Sequence, residues 1–179
     1  MDRSPIVMLI GLRGSGKTTL GRALADACGR AFIDLDDRTA QALGHDTPGA
    51  AIRSEGIDAF RAAESSELER VLGEPGIVLA LGGGTPTAPG ATDRIRASRT
   101  EGRAVVMYLR ASPDDLAARL SAPGAPDRPA LIGEDAASDV RMLFEQRDAL
   151  YRELADGVLH VGSVAESSAL AALRAWAPV

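Results

Sequence analysis

The stretch Ile6-Val7-Met8-Leu9-Ile10-Gly11-Leu12-Arg13-Gly14-Ser15-Gly16-Lys17-Thr18-Thr19-Leu20 decides how the rest of the chain is read. Five apolar residues in a row mark a strand buried on both faces, as strands of a parallel sheet are. Gly11 to Thr18 then follows the pattern G-x-x-x-x-G-K-S/T, between that strand and a helical segment from about Lys17 to Cys28. The glycines let successive backbone N–H groups turn inward as an anion nest, and the following helix N-terminus adds positive dipole. Lys17 supplies a compact charge for the outer phosphates of a nucleoside triphosphate, and Thr18 a hydroxyl for Mg²⁺. The rival reading is an accidental glycine-rich turn. Composition opposes it. Of 20 basic residues, Lys17 is the single lysine and all others are arginine, and there is no asparagine. In a chain so biased towards arginine, lysine stands at the position where a point charge is wanted.

Working outward, short apolar runs alternate with segments of helical period. Strands are predicted at Ile6–Ile10, Ala31–Ile33, Ile77–Leu81, Ala104–Leu109 and Val158–Val161. Helices are predicted within Thr92–Thr100, from Ser112 with Pro113 at the first helical position, over about Asp135–Leu154, and over Glu166–Trp176. A polar helical region at 38–72 is broken near Gly44–Gly49 and at Gly56. This pattern predicts a three-layer α/β/α fold, a doubly wound five-stranded parallel sheet in one domain spanning 1–179. Segment 38–72 and the loop 121–133 exceed a minimal version of it. Both follow parallel strands at their carboxyl ends, above the ligand crevice, and are candidates for a substrate-binding insertion and a lid.

Composition narrows the function. The 179 residues amount to one domain, and a net charge of −5 disfavours a nucleic-acid binder dominated by phosphate contacts. One cysteine, Cys28, leaves no intrachain disulfide and no cysteine-based metal site. No apolar run approaches a membrane span, and residues 1–5 do not read as a signal peptide, so a reduced cytoplasmic protein is expected.

Further residues carry chemistry. Asp34 and Asp36 are two apart at the end of the second strand, so an extended chain points both carboxylates the same way, with Leu35 opposite. One can organise the Mg²⁺ shell through water, and the other can hold an acceptor hydroxyl and take its proton. A capping role for the next helix suits Asp36 or Asp37 better than Asp34. Gly82-Gly83-Gly84 lets a ligand approach the backbone at the sheet edge, and the competing reading is a turn needing positive φ. Arg61 and Glu64 are three apart in a helical stretch and can pair, most simply as a solvated surface ion pair. Arg128, beside Pro129 in the candidate lid, can close onto transferring phosphate, and the competing reading is an exposed loop arginine. Arg147 and Tyr151 share one face of the long helix, where the planar arginine fork suits a carboxylate, although taken alone Arg147 reads more simply as another helix-surface arginine.

Taken in order, Gly11–Thr18, Asp34 with Asp36, Phe60-Arg61 with Glu64, Gly82–Gly84, Arg128-Pro129 and Arg147 with Leu150-Tyr151 resemble the shikimate kinase family, from Ile6 to about Val161. The resemblance implies a monomeric P-loop kinase that transfers the γ-phosphoryl of ATP to the 3-hydroxyl of shikimate in aromatic amino-acid biosynthesis, with Mg²⁺ as cofactor. Its substrates are shikimate and ATP, with no nucleic-acid or membrane partner. It implies ATP contacts at Gly14, Ser15, Gly16, Lys17, Thr18, Thr19, Arg119 and Arg128, and metal contacts at Thr18 and, in the outer shell, Asp34. It implies shikimate contacts at Asp36, Arg61, Gly82, Gly83, Gly84 and Arg147, with Glu64 steadying Arg61. Catalysis would fall to Lys17, Asp36 and Arg128. The family often carries arginine and asparagine near the adenine, whereas His160–Ala165 here has neither.

Two rivals remain in view. A gluconate-type small-molecule kinase shares the phosphate loop but explains Arg61 and Arg147 less well. A non-catalytic sensor of shikimate-kinase-like fold would have less need of Lys17, Asp36 and Arg128 together. It would usually carry a DNA-binding segment, for which five residues before the first strand leave no room.

Overall fold

The computed structural model describes residues 4–122 and 136–178. Among them are five strands and eight α-helices. In chain order these are β1 (Ile6–Ile10), α1 (Lys17–Cys28), β2 (Phe32–Asp34), α2 (Leu35–Ala42), α3 (Pro48–Glu55), α4 (Ile57–Val71) and β3 (Val78–Ala80). After a 3₁₀ turn at Thr85–Thr87 come α5 (Ala91–Thr100), β4 (Ala104–Arg110), α6 (Pro113–Leu120), α7 (Ala136–Leu154), β5 (Gly157–His160) and α8 (Glu166–Trp176). The sheet is wholly parallel, in the order β2-β3-β1-β4-β5.

That order follows from the apolar pattern. Every residue of β1 is buried, as a central strand covered on both faces must be. Register aligns Leu9 with Ala80 on one side and Met107 on the other. The chain leaves β1 towards β2 and returns through β3 and β4 to β5, so its right-handed crossovers put α1 on one face and α4, α5 and α7 on the other. α8 packs on α1, closing that layer. The chain reverses direction beside β1 and β3, which opens a crevice at their carboxyl ends.

The predicted elements are present, with one-residue shifts at the ends of β3 and β4 and three further differences. Strand two runs Phe32–Asp34, not Ala31–Ile33, and α2 begins at once with Leu35. The last strand is Gly157–His160, and its burial alternates, with Val158 exposed on the edge of the sheet. The expectation that every strand is covered on both faces fails there, because an edge strand can keep one side wet. Thirdly, 38–72 resolves into the end of α2, then α3 and α4, broken after Ala42 and at Gly56, whose φ is 85°. These helices enclose a small core of Ala40, Ala51 and Phe60, separate from the main core under the sheet.

Caps match the local sequence. Ser112 accepts a hydrogen bond from the Asp115 N–H at 3.1 Å, with Pro113 in the first turn of α6. Among the described residues, no helix is long and apolar enough to cross a membrane. Of the candidate lid, residues 123–133 lie outside the described residues, and Arg128 with them.

Candidate active site

The loop after β1 has the backbone that its glycines permit. Gly14 and Gly16 sit at φ 83° and 88°, and Gly16 opens α1 in the left-handed region. Gly11 is needed for space as well. A Cβ there would lie 2.6 Å from the Leu109 carbonyl oxygen and 2.7 Å from Ser15 Oγ. The loop borders a cavity of about 860 Å³ lined by Gly14, Gly16, Lys17, Thr18, Thr19 and Asp34, among others. Lys17 Nζ donates to the Gly11 and Leu12 carbonyls at 2.8 and 3.0 Å. Its charge is thus held over the nest. The Ser15 side chain is buried and does not line the cavity, so what this residue offers a phosphate is its backbone.

Arg119 reaches the same cavity from α6. Its guanidinium donates to the Gly14 carbonyl at 3.1 Å and to the Val161 and Gly162 carbonyls at 2.5 and 2.7 Å. The segment after β5, which lacks the arginine and asparagine noted above, is tied to the phosphate loop through this side chain.

The paired aspartates need correction. Asp34 is the N-cap of α2, and its carboxylate accepts the Asp36 N–H at 3.1 Å. The cap is therefore Asp34, the residue that sequence reasoning placed last for that role. Asp36 is helical, so the two-residue alternation of an extended chain does not orient this pair. Both still face the crevice. Thr18 Oγ1 donates to Asp34 Oδ2 at 2.6 Å, and Asp36 lines this cavity and the next.

A second cavity, of about 1000 Å³, adjoins the first. Arg13, Asp36 and Gly83 line both and form their common border. Arg61 and Glu64 from α4 and Arg147 from α7 supply its charged wall. Pro48, Ile52, Ile57, Phe60, Val140 and Leu143 supply an apolar one. Arg61 is mostly exposed, but Glu64 turns inward and is only 5% exposed. The expected surface ion pair is replaced by a buried carboxyl that accepts a hydrogen bond from the Thr85 hydroxyl. Burial lifts the Glu64 pKa most. The Thr85 hydrogen bond opposes that, the Asp36 charge adds to it, and Arg61 and Arg147 oppose it, leaving a value of about 7.

None of the three consecutive glycines has a positive φ, so the turn they form, closed by the Thr85 N–H on the Gly82 carbonyl at 3.1 Å, does not need glycine for its backbone conformation. Close approach explains them. A Cβ on Gly82 would lie 2.3 Å from Asp36 Oδ1, 2.7 Å from Glu64 Oε1 and 2.8 Å from Thr85 Oγ1. Gly83 packs against the phosphate loop, where a Cβ would lie 3.2 Å from the Arg13 nitrogen. The Gly83 carbonyl accepts from Arg147 Nη1 at 2.5 Å and from the Tyr151 hydroxyl. Gly83 and Gly84 line the second cavity, whereas Gly82 is buried beneath it.

Sequence reasoning passed over Arg13, Thr85 and Tyr151 as site residues. Arg13 occupies a variable position of the phosphate motif, and only its place between the cavities singles it out. Tyr151 did carry a signal, its shared helix face with Arg147. The sequence spacing of Thr85 from Glu64 gives none.

Comparison with known proteins follows this geometry. The shikimate kinase family model matches residues 13–176. The shikimate kinase of Bordetella avium is 39% identical over 158 residues, 88% of this chain and 72% of that one. Shikimate kinase 2 of Escherichia fergusonii is 41% identical over 151 residues, 84% of this chain and 80% of that one. Among solved structures, a shikimate kinase from Acinetobacter baumannii in complex with shikimate superposes with a TM-score of 0.83 at 30% identity, covering 96% of this chain and 92% of that one.

Proposed function

The chain belongs to the shikimate kinase family, and we propose that its two adjoining cavities hold ATP and shikimate end to end, with Asp36 at the border between them. It is an ATP-dependent kinase, transferring the γ-phosphoryl of ATP to the 3-hydroxyl of shikimate. The observation that carries the site reading is the convergence of Asp36, Arg61 and Arg147, from three different helices, on one cavity that borders the phosphate loop at Leu12 and Arg13.

Each half of the site suits its substrate. The backbone of Gly14, Ser15 and Gly16 offers N–H groups to the phosphates. Lys17 exchanges its two loop carbonyls for β- and γ-oxygens, keeping its charge within the same nest. Thr19 and Arg119 border the nucleotide cavity, and Arg128, outside the described residues, keeps the phosphate-reaching role that the family resemblance implies. A hydroxyl and a carboxylate, Thr18 and Asp34, stand 2.6 Å apart on the cavity wall. That is the sparse, all-oxygen protein contribution Mg²⁺ takes when phosphates and water complete its shell. When bound, the ion supplies charge neutralisation for the transferring phosphoryl group.

On the other side, the forks of Arg61 and Arg147 bind the acceptor carboxylate. Asp36 receives the acceptor hydroxyl, orients its oxygen towards the γ-phosphorus and takes its proton as the bond forms. Gly83 and Gly84 let the ring approach the backbone, and the apolar wall from Pro48 to Leu143 covers its hydrocarbon face. That wall favours a ring over an open polyol such as gluconate, which has no apolar face to bury. The helices α3 and α4, with their own small core, form the substrate-binding insertion of a single domain. We further propose a cytoplasmic monomer without nucleic-acid or membrane partners, a reading supported by the net charge of −5.

The test is a coupled assay of ADP release from ATP and Mg²⁺. Turnover with shikimate, and none without it, is expected. Comparable turnover with gluconate and none with shikimate overturns the substrate. Thermal stabilisation by shikimate without turnover identifies a sensor.

A further inference from the structure

Thr85 belongs to no motif used above, yet it is 1% exposed and its hydroxyl donates to Glu64, which lines the acceptor cavity. It opens the 3₁₀ turn Thr85–Thr87. Its own N–H donates to the Gly82 carbonyl at 3.1 Å, and its carbonyl accepts the Ala88 N–H at 3.0 Å. Both backbone ends are therefore fixed. A β-branched side chain on a fixed backbone has little rotamer freedom. The hydroxyl is thus aimed before any ligand arrives.

It is aimed at Glu64. Above Gly82, the Thr85 hydroxyl, Asp36 Oδ1 and Glu64 Oε1 crowd one corner that only a residue without a side chain leaves open. The charged and titratable groups that act on Glu64 come from each element around it. They are Asp36 from α2, Arg61 from α4 itself, and Arg147 and Tyr151 from α7. Arg13 lines the same cavity. A carboxyl this buried keeps its charge only with donors and cations around it.

We propose that Thr85 is a positioning residue of the acceptor site, whose hydroxyl holds the Glu64 carboxylate in place so that Arg61 and Arg147 keep their forks in the cavity. The inference rests on the acceptor-site reading given above. Thr85 touches neither substrate and acts through Glu64. With the hydroxyl present, the ionised carboxylate offers lone pairs to acceptor hydroxyls and a counter-charge to both arginines. Without it, Glu64 takes up a proton at higher pH and gives up both roles.

The experiment compares Thr85→Val, Thr85→Ala and Thr85→Ser with the parent protein and with Arg147→Ala. KM for shikimate, KM for ATP and kcat are measured from pH 5.5 to 9. Removing the hydroxyl is expected to raise KM for shikimate severalfold at pH 7 and leave KM for ATP unchanged. It should also move the acidic limb of kcat/KM for shikimate upward by about one pH unit, the scale of one charge-assisted hydrogen bond. Thr85→Ser keeps the parent profile. The alanine variant decides the matter if the valine variant does not fold. Parent-like pH profiles in the hydroxyl-free variants, with Arg147→Ala weakened for shikimate, overturn the role of Thr85 and leave the acceptor site standing. An Arg147→Ala variant with unchanged KM for shikimate overturns the site reading and this inference together. A serine variant as impaired as the valine one also overturns it, since packing would then be the cause.

Discussion

Replacing Glu64 by glutamine tests whether the acceptor cavity holds a carboxyl at a cost to the fold. The side chain is buried, and its pKa stands at about 7 against an ordinary value of 4.5. Between those values the folded chain holds a proton that the unfolded chain has released. Stability therefore falls as pH rises through that window, and the penalty is fully developed above pH 7. A shift of this size corresponds to roughly 3 kcal/mol. Glutamine keeps an oxygen to accept from Thr85 and carries no charge, so E64Q escapes the penalty. At pH 8 it should exceed the parent by up to about 3 kcal/mol, at roughly 2–4 °C in Tm per kcal/mol for a chain of this size. Near pH 5, where the parent Glu64 is itself protonated, the two Tm values should converge. The assay is thermal unfolding of both proteins across pH 5–8 without substrate, because a bound ligand adds its own stabilisation. Taking the difference removes titrations common to both proteins. A Tm difference that stays constant across the range refutes the argument, and so does a parent more stable than E64Q at pH 8. The same variant should lose affinity for shikimate, so this position trades stability for function.

Three further outcomes follow from the geometry. Gly82→Ala should lose about 1–3 kcal/mol in urea unfolding and most of its kcat/KM for shikimate, because the new methyl group drives apart oxygens from α2, α4 and the 3₁₀ turn. Parent-like values in both measurements would show slack in that corner. Asp36→Ala should nearly abolish ADP formation while ATP binding, followed by calorimetry, survives, and near-normal turnover would remove Asp36 from the chemistry. In Gly21→Ala, on α1, the added Cβ would lie 2.6 Å from the Phe32 ring and 3.0 Å from Leu9 Cδ1. It should lose about 1–3 kcal/mol of stability with kcat of the folded enzyme unchanged, and a fall in kcat would link this contact to the site.

The layers of the fold were legible because they rest on short-range patterns. A run such as Ile6–Ile10 suits a strand buried on both faces in the middle of a sheet, and Ser112-Pro113 offers the N-cap and first-turn proline of a helix. The edge strand β5 was misjudged for the same reason. Val158–Val161 reads as apolar in sequence, and only sheet order reveals that one side of it faces solvent. The break of 38–72 at Gly56 was legible, but the core of Ala40, Ala51 and Phe60 was not, because it joins residues of three helices.

The site divides along the same line. The phosphate loop is local, so its glycines, Lys17 and Thr18 announce themselves within eight residues. The acceptor cavity is assembled from α2, α4, α7 and the turn after β3, and its decisive contacts join residues far apart in sequence. Spacing alone made Arg61 and Glu64 a surface pair. Tertiary burial instead turned Glu64 inward, onto a hydroxyl that no local pattern connects to it. Asp34 and Asp36 show how a spacing can mislead while the residues remain in view. Two apart suggested one face of a strand, yet the chain bends into a helix between them, and Asp34 caps the helix that carries Asp36. The cap itself does the positioning. By holding the first turn of α2 at the end of β2, it ties Asp36, at the mouth of the acceptor cavity, to the carboxylate that accepts from Thr18 on the phosphate side. The two halves of the cleft are thereby joined through one turn of backbone.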